Sequence, residues 1–161
     1  MKLQYFLLLP FILGNSTQLT KSDEPSEKQF VQIYFQETGD VLNTFDKTLR
    51  SGLVTGWVEI PFWLTKHEQD TILAKVEEIK FFTFPDTIKK AQNAFVQPYF
   101  GPKILRIKYK NLDKKIIWDY PAAKEYQSFD SMLMELQNLI DSIITSKEEY
   151  KKLPAPHQGY Q

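Results

Sequence analysis

The chain of 161 residues contains no cysteine. That absence removes disulfides, thiolate nucleophiles, thiolate metal sites and thiol redox chemistry together. Histidine is almost as scarce, with only His67 and His157. His67 falls in the first turn of a predicted helix, on the side away from Ile72 and Val76, with Asp70 one turn on. Two such ligands fall short of the three or four that zinc requires. His157 sits in a tail beside Pro156 and Gly159, where nothing fixes a catalytic geometry. Gly-rich phosphate loops, nucleophile elbows and metal triads are all missing. No excess of one charge is present either, since 20 basic residues face 20 acidic ones. A chain so balanced lacks the electrostatic footprint of a nucleic-acid binder. The expectation is therefore a protein with no cofactor, no metal, no catalytic residues and no nucleic-acid partner.

A long hydrophobic run is lacking as well. Spanning a bilayer takes ~20 apolar residues, and the longest apolar stretch, in "MKLQYFLLLPFILGNSTQ", is far shorter. It has instead the form of a secretory signal: Lys2, an apolar run from Leu3 to Leu13, then small polar residues. Residues 1–16 are read as a signal peptide, so the mature chain is expected outside the cytoplasm, periplasmic or extracellular, with no membrane span left after cleavage. Residues 17–29 are polar, lack a hydrophobic period and read as a leader. Residues 30–152 then form one domain, long enough to bury a core without disulfides, and 153–161 a tail.

Aromatic residues are abundant, at 14% of the chain, and most belong to a core because each ring buries ~150–250 Å². "FVQIYFQ" alternates, with Val31, Ile33 and Phe35 on one face, which predicts a half-buried strand. "ETGD" turns the chain and "VLNTF" returns. "GLVTGWVEIPF" reads as a third strand that Pro61 ends or confines to an edge. Thr65 and Glu68 have capping-box spacing, and Ile72, Leu73, Val76 and Ile79 follow at helical intervals before Pro85. "DTIKKAQNAF" suggests a short helix. "KILRIKYK", a turn at "NLD", and "KIIWDYP" make a second hairpin. A closing helix starts at a Ser128 cap and carries the stripe Met132, Leu133, Leu136, Leu139, Ile140, Ile143 and Ile144. The expected fold is α+β: an antiparallel sheet of about five strands with two main helices on one face, its halves hinting at a ββα pseudo-repeat.

The run "ILAKVEEIKFFTFPD", then "GPKILRIKYKNLDKKIIWDYP", then an amphipathic helix resembles small exported bacterial α+β domains of unknown function. The layout, over about residues 30–146, is also similar to the emfourin-type inhibitors of metalloproteases. The exported domains often carry cysteines near their first strand, and this chain does not. The resemblance carries over no functional residue. It informs the fold more than the activity, and its one functional implication is a protease inhibitor, the alternative to an exported interaction domain.

Among the carboxylates, Glu77 and Glu78 diverge by about 100° on a helix and cannot share a substrate. Asp119 falls on the strand face opposite Trp118 and Tyr120, where Arg106, Lys108 and Lys110 of the preceding strand would pair with it. It is the only acid that an alternative reading as an uncharacterised enzyme of hydrolase type would use. The outer sheet face is then expected to present Tyr34, Trp57, Arg106, Lys108, Lys110 and Asp119, together with Gln32 and Glu59. Tyr, Trp and Arg are the types enriched at interface hot spots, and the expected partner is a protein or glycan. The loop holding Tyr99 and Phe100 is the second candidate contact.

Overall fold

A computed structural model describes residues 30–37, 39–53, 56–92 and 101–154. Seven strands form one mixed sheet: β1 (Val31–Glu37), β2 (Asp40–Asn43), β3 (Thr48–Leu53), β4 (Gly56–Pro61), β5 (Thr87–Ile88), β6 (Lys103–Tyr109) and β7 (Leu112–Trp118). Their spatial order is β4-β3-β2-β1-β6-β7-β5, and every pairing is antiparallel except β5 with β7. Helices α1 (Lys66–Glu78), α2 (Gln127–Ser146) and the short α3 (Glu148–Lys151) complete the α+β fold.

Two expectations fail here. The single third strand is a hairpin, because Gly56 at φ 131° takes a conformation closed to residues with side chains and lets the chain reverse between Leu53 and Gly56. "DTIKKAQNAF" does not begin as a helix. Thr87 and Ile88 instead join β7, where Ile117 N–H donates to Asp86 O at 2.9 Å and Asp119 N–H to Ile88 O at 3.2 Å. Burial of Ile88 against the sheet outweighs the local helical tendency. Five antiparallel strands thus become seven mixed ones. Four strands precede α1 and three precede α2, so the two halves are not repeats.

The alternating sequence dictates the layers. Val31, Ile33, Phe35, Leu42, Leu49, Leu105, Ile107, Ile116 and Trp118 form the buried inner face of the sheet. On it lie Ile72, Val76 and Ile79 of the first helical segment and Leu133, Leu136, Ile140, Ile143 and Ile144 of α2. The capping box forms as the sequence suggests: Glu68 N–H donates to Thr65 Oγ1 at 3.2 Å, and Thr65 N–H to Glu68 Oε2 at 2.7 Å. The Ser128 cap does not, since α2 runs on from a 3-10 turn at Lys124–Tyr126 and starts at Gln127. Gln69, fully buried, ties α1 to the sheet: its Oε1 accepts from Phe30 N at 2.8 Å and Val31 N at 3.2 Å. The aromatic turn after α1 packs Phe84 edge-on to Phe129 of α2, with centroids 4.9 Å apart.

Leu136 is completely buried in the middle of the α2 stripe, so Leu136→Ala is expected to cost ~2–5 kcal/mol in a urea melt. His67 is exposed, and His67→Ala is expected to change stability by less than about 0.5 kcal/mol. Equal effects would mean that α2 does not carry the core.

Candidate interaction face

The strand faces that alternate away from the helices form a continuous surface. One row crosses all seven strands in register: Glu59, Arg50, Val41, Gln36, Ile104, Ile117 and Thr87. The next row holds Asn43, Tyr34, Arg106 and Lys115. Gln32, Lys108 and Asp113 form a third. Among the described residues, no helix lies on this face; α1 and α2 both pack on the other.

Tyr34 stands on this face and donates its hydroxyl to Gln36 Oε1 at 2.9 Å. Trp57 is on edge strand β4, 54% exposed, with the Arg50 guanidinium 4.5 Å above its ring. The ring stays close to the sheet because Gly52 opposite has no Cβ; one added there would come within 3.4 Å of the indole and 3.0 Å of Gly39 O. Arg106 occupies the centre. Its guanidinium forks onto Asp113 through two bonds of 2.9 and 2.7 Å and lies 4.9 Å over the Phe45 ring. The bond to Arg106 holds the Asp113 carboxyl below its ordinary range and raises the guanidinium in turn. Lys108 is exposed on the same face.

Two of the expected site residues are not placed as expected. Lys110 is not on the face. It takes the left-handed conformation, φ 54°, in the turn between β6 and β7 and folds its ammonium 4.7 Å over the Tyr109 ring. Asp119 does not reach Arg106. It follows Trp118, which pairs with Lys103, whereas Arg106 is opposite Lys115. Four residues of strand, about 13 Å, separate the two levels. The carboxylate that meets Arg106 is Asp113, which the sequence had put in the turn. Tyr99 and Phe100 lie outside the described residues.

Arg50, Phe45, Asp113 and Lys115 complete the face and were missed from sequence. Arg50 would have been found by extending the alternation of "TLRSGL" back to Thr48. Among the described residues the face then has four basic side chains, Arg50, Arg106, Lys108 and Lys115, against the acids Glu59 and Asp113, with Asp119 just past the end of β7. Lys108 and Lys115 have no ion pair among the described residues.

A second polar group lies under α2, on the inner side of the sheet. Lys103 Nζ bonds Glu37 Oε1 at 2.7 Å and Gln137 Oε1 at 2.8 Å, and Gln137 Nε2 donates to Glu37 Oε2 at 2.8 Å. Nearby, Asp40 accepts from Ser51 Oγ at 2.7 Å and from Tyr150 OH at 3.3 Å. Asp141 of α2 hangs over this group, and burial followed by the neighbouring Glu37 carboxylate pushes its pKa up to about 6. The same burial, then Asp40, raises the Tyr150 phenol. No trio of described carboxylates and histidines is placed to hold a metal ion. Among the described residues, no helix is long and apolar enough to cross a membrane. No family model matches the chain, and no curated protein is significantly similar to it.

Asp141 gives the protein a measurable pH signature. Its folded pKa lies above its ordinary value of 3.8, so above pH 6 both folded and unfolded chains carry the charge, and the full cost of burying it is present. Between about 6 and 3.8 the folded state alone takes up the proton, and stability rises as the pH falls. Relative to Asp141→Asn, the wild-type urea midpoint is expected to increase on going from pH 7.5 to pH 4.5. Parallel curves for the two proteins would show that Asp141 titrates normally.

Proposed function

We propose that this is an exported, non-catalytic interaction domain that binds an anionic protein or glycan through the outer face of its sheet. The observation that supports the reading is the chemistry of that face: an exposed tryptophan under an arginine, a tyrosine, a forked Arg–Asp pair, and two lysines that form no close ion pair among the described residues. Basic and aromatic side chains in one plane attract an acid at a distance and offer flat apolar area on contact. Among the described residues of the face, nothing resembles a catalytic pair. Its one close acid–base pair, Arg106 with Asp113, is mutually neutralised and open to solvent. The signal-like opening of the chain supports the export part of the proposal.

Triple substitution of Tyr34, Arg106 and Lys108 by alanine tests the reading. These side chains point away from the helices, so the circular dichroism spectrum and urea midpoint should stay close to wild type. Binding to immobilised acidic polysaccharide and to acidic envelope proteins should fall at least ~tenfold, since hot-spot residues each contribute more than ~1 kcal/mol. Wild-type binding should also weaken as salt rises. A variant that folds normally and binds as well as wild type would sink the proposal.

A further inference from the structure

The two edges of the sheet are protected very differently. On one side, β5 is only two residues long, and Lys114 reaches from β7 to pair with Asp86 just before it. On the other side, β4 runs for six residues, "GWVEIP", and carries only Glu59 and Pro61 as edge protection, with no lysine and no bulge against β3. Among the described residues nothing pairs with its outer side. Natural proteins blunt such an edge unless it is used.

The register shows what that edge offers. Phe62 N–H donates to Lys47 O at 2.8 Å, and on the far side of β3 Gly52 N–H donates to Gly39 O at 2.6 Å. Hydrogen-bonded and open pairs alternate along an antiparallel ladder. Ile60 and Val58 therefore turn their backbone groups toward β3, and Trp57, Glu59 and Pro61 turn theirs outward. Pro61 has no N–H to present, which is why it is tolerated at this place. The outward groups are the N–H and C=O of Trp57 and of Glu59 and the C=O of Pro61: two donors and three acceptors at alternate residues.

We propose that β4 pairs with β4 of a second copy across a two-fold axis at Val58, joining two sheets into one of fourteen strands. In this register Trp57 is opposite the partner's Glu59 and Glu59 opposite the partner's Trp57, so the N–H and C=O of both residues are used. Neighbouring registers are worse. A two-fold axis at Glu59 sets two carboxylates against each other and places Trp57 opposite a proline without a donor. An axis at Trp57 puts Glu59 opposite residues beyond Gly56, outside the strand. With the axis at Val58 each Glu59 lies between Arg50 of its own chain and an indole of the other, and the two outer faces become one continuous basic-aromatic surface. The contact is small, so a monomer–dimer equilibrium in the micromolar range is expected.

The absence of native cysteine makes the test clean. Val58→Cys places one thiol on each side of the axis in an open antiparallel pair, where the Cα atoms are about 4.5 Å apart, within disulfide range. With the chain as cells process it, this variant is expected to form a disulfide-linked dimer at least ~tenfold faster under mild oxidation than Glu59→Cys or Asn111→Cys, whose thiols are out of register. Sedimentation of wild type should show twice the monomer mass as concentration rises. Glu59→Pro removes an exposed carboxylate and an outward N–H but no bond to β3, so it should keep the monomer's circular dichroism while weakening dimerisation at least ~tenfold. A wild type that stays monomeric up to hundreds of micromolar would overturn the proposal. So would equal crosslinking rates for the three cysteine variants. These readouts use no ligand and stand apart from the binding test above.

Discussion

The structure depends on one strand having two different neighbours. β1 pairs on one side with β2, its immediate successor, and on the other with β6, which arrives after four further strands and a helix. Its inward row, Val31, Ile33 and Phe35, is the centre of the core. Its outward row, Gln32, Tyr34 and Gln36, is the middle of the candidate face. Gln69 satisfies the two amides at the start of this strand, and Ile33 N–H, where the β2–β3 turn begins, is taken by Thr44 Oγ1 at 2.7 Å. A shift of β1 by one residue would turn every inward side chain out and dismantle core and face together.

What was legible in the sequence was whatever depends on local periodicity. The alternation in β1 and β6, the capping box at Thr65 and the stripe of α2 each need only a few neighbouring residues, and each is where the pattern puts it. What was not legible needed information from far along the chain. Thr87 and Ile88 become a strand only because β7 has a free edge for them. Asp113, rather than Asp119, meets Arg106 because the β6–β7 turn tightens onto Lys110 and Asn111 and moves the register. Alternation told which face a residue occupies, but not which residue it would stand beside.

The polar group beneath α2 had no sequence signal at all, since its members come from β1, β2, β3, β6, α2 and α3. Lys103, Glu37 and Gln137 close a ring in which each polar end has a partner, which is the condition under which a half-buried charge is tolerable. The ring also fixes α2 about its own axis over the sheet, something the smooth Leu and Ile stripe cannot do alone. Asp141 is the residue this arrangement leaves least well served. Its pKa is raised first by burial and then by the neighbouring Glu37 carboxylate.

The separation of β1 from β6 has a consequence for how the chain reaches this structure. Pairs such as Gln36 with Ile104 and Val31 with Tyr109 join positions roughly 70 apart, and contacts of that span slow folding because a long loop must close before they are rewarded. The meander β1–β4 consists of short-range hairpins and is complete well before β6 has been synthesised. In that interval β1 is itself an edge, bordered by Tyr34 and Phe35 and open along its whole length. A meander that paired ahead of β6 would have two open edges, β1 and β4, and pairing with the β6–β7 hairpin closes the first of them.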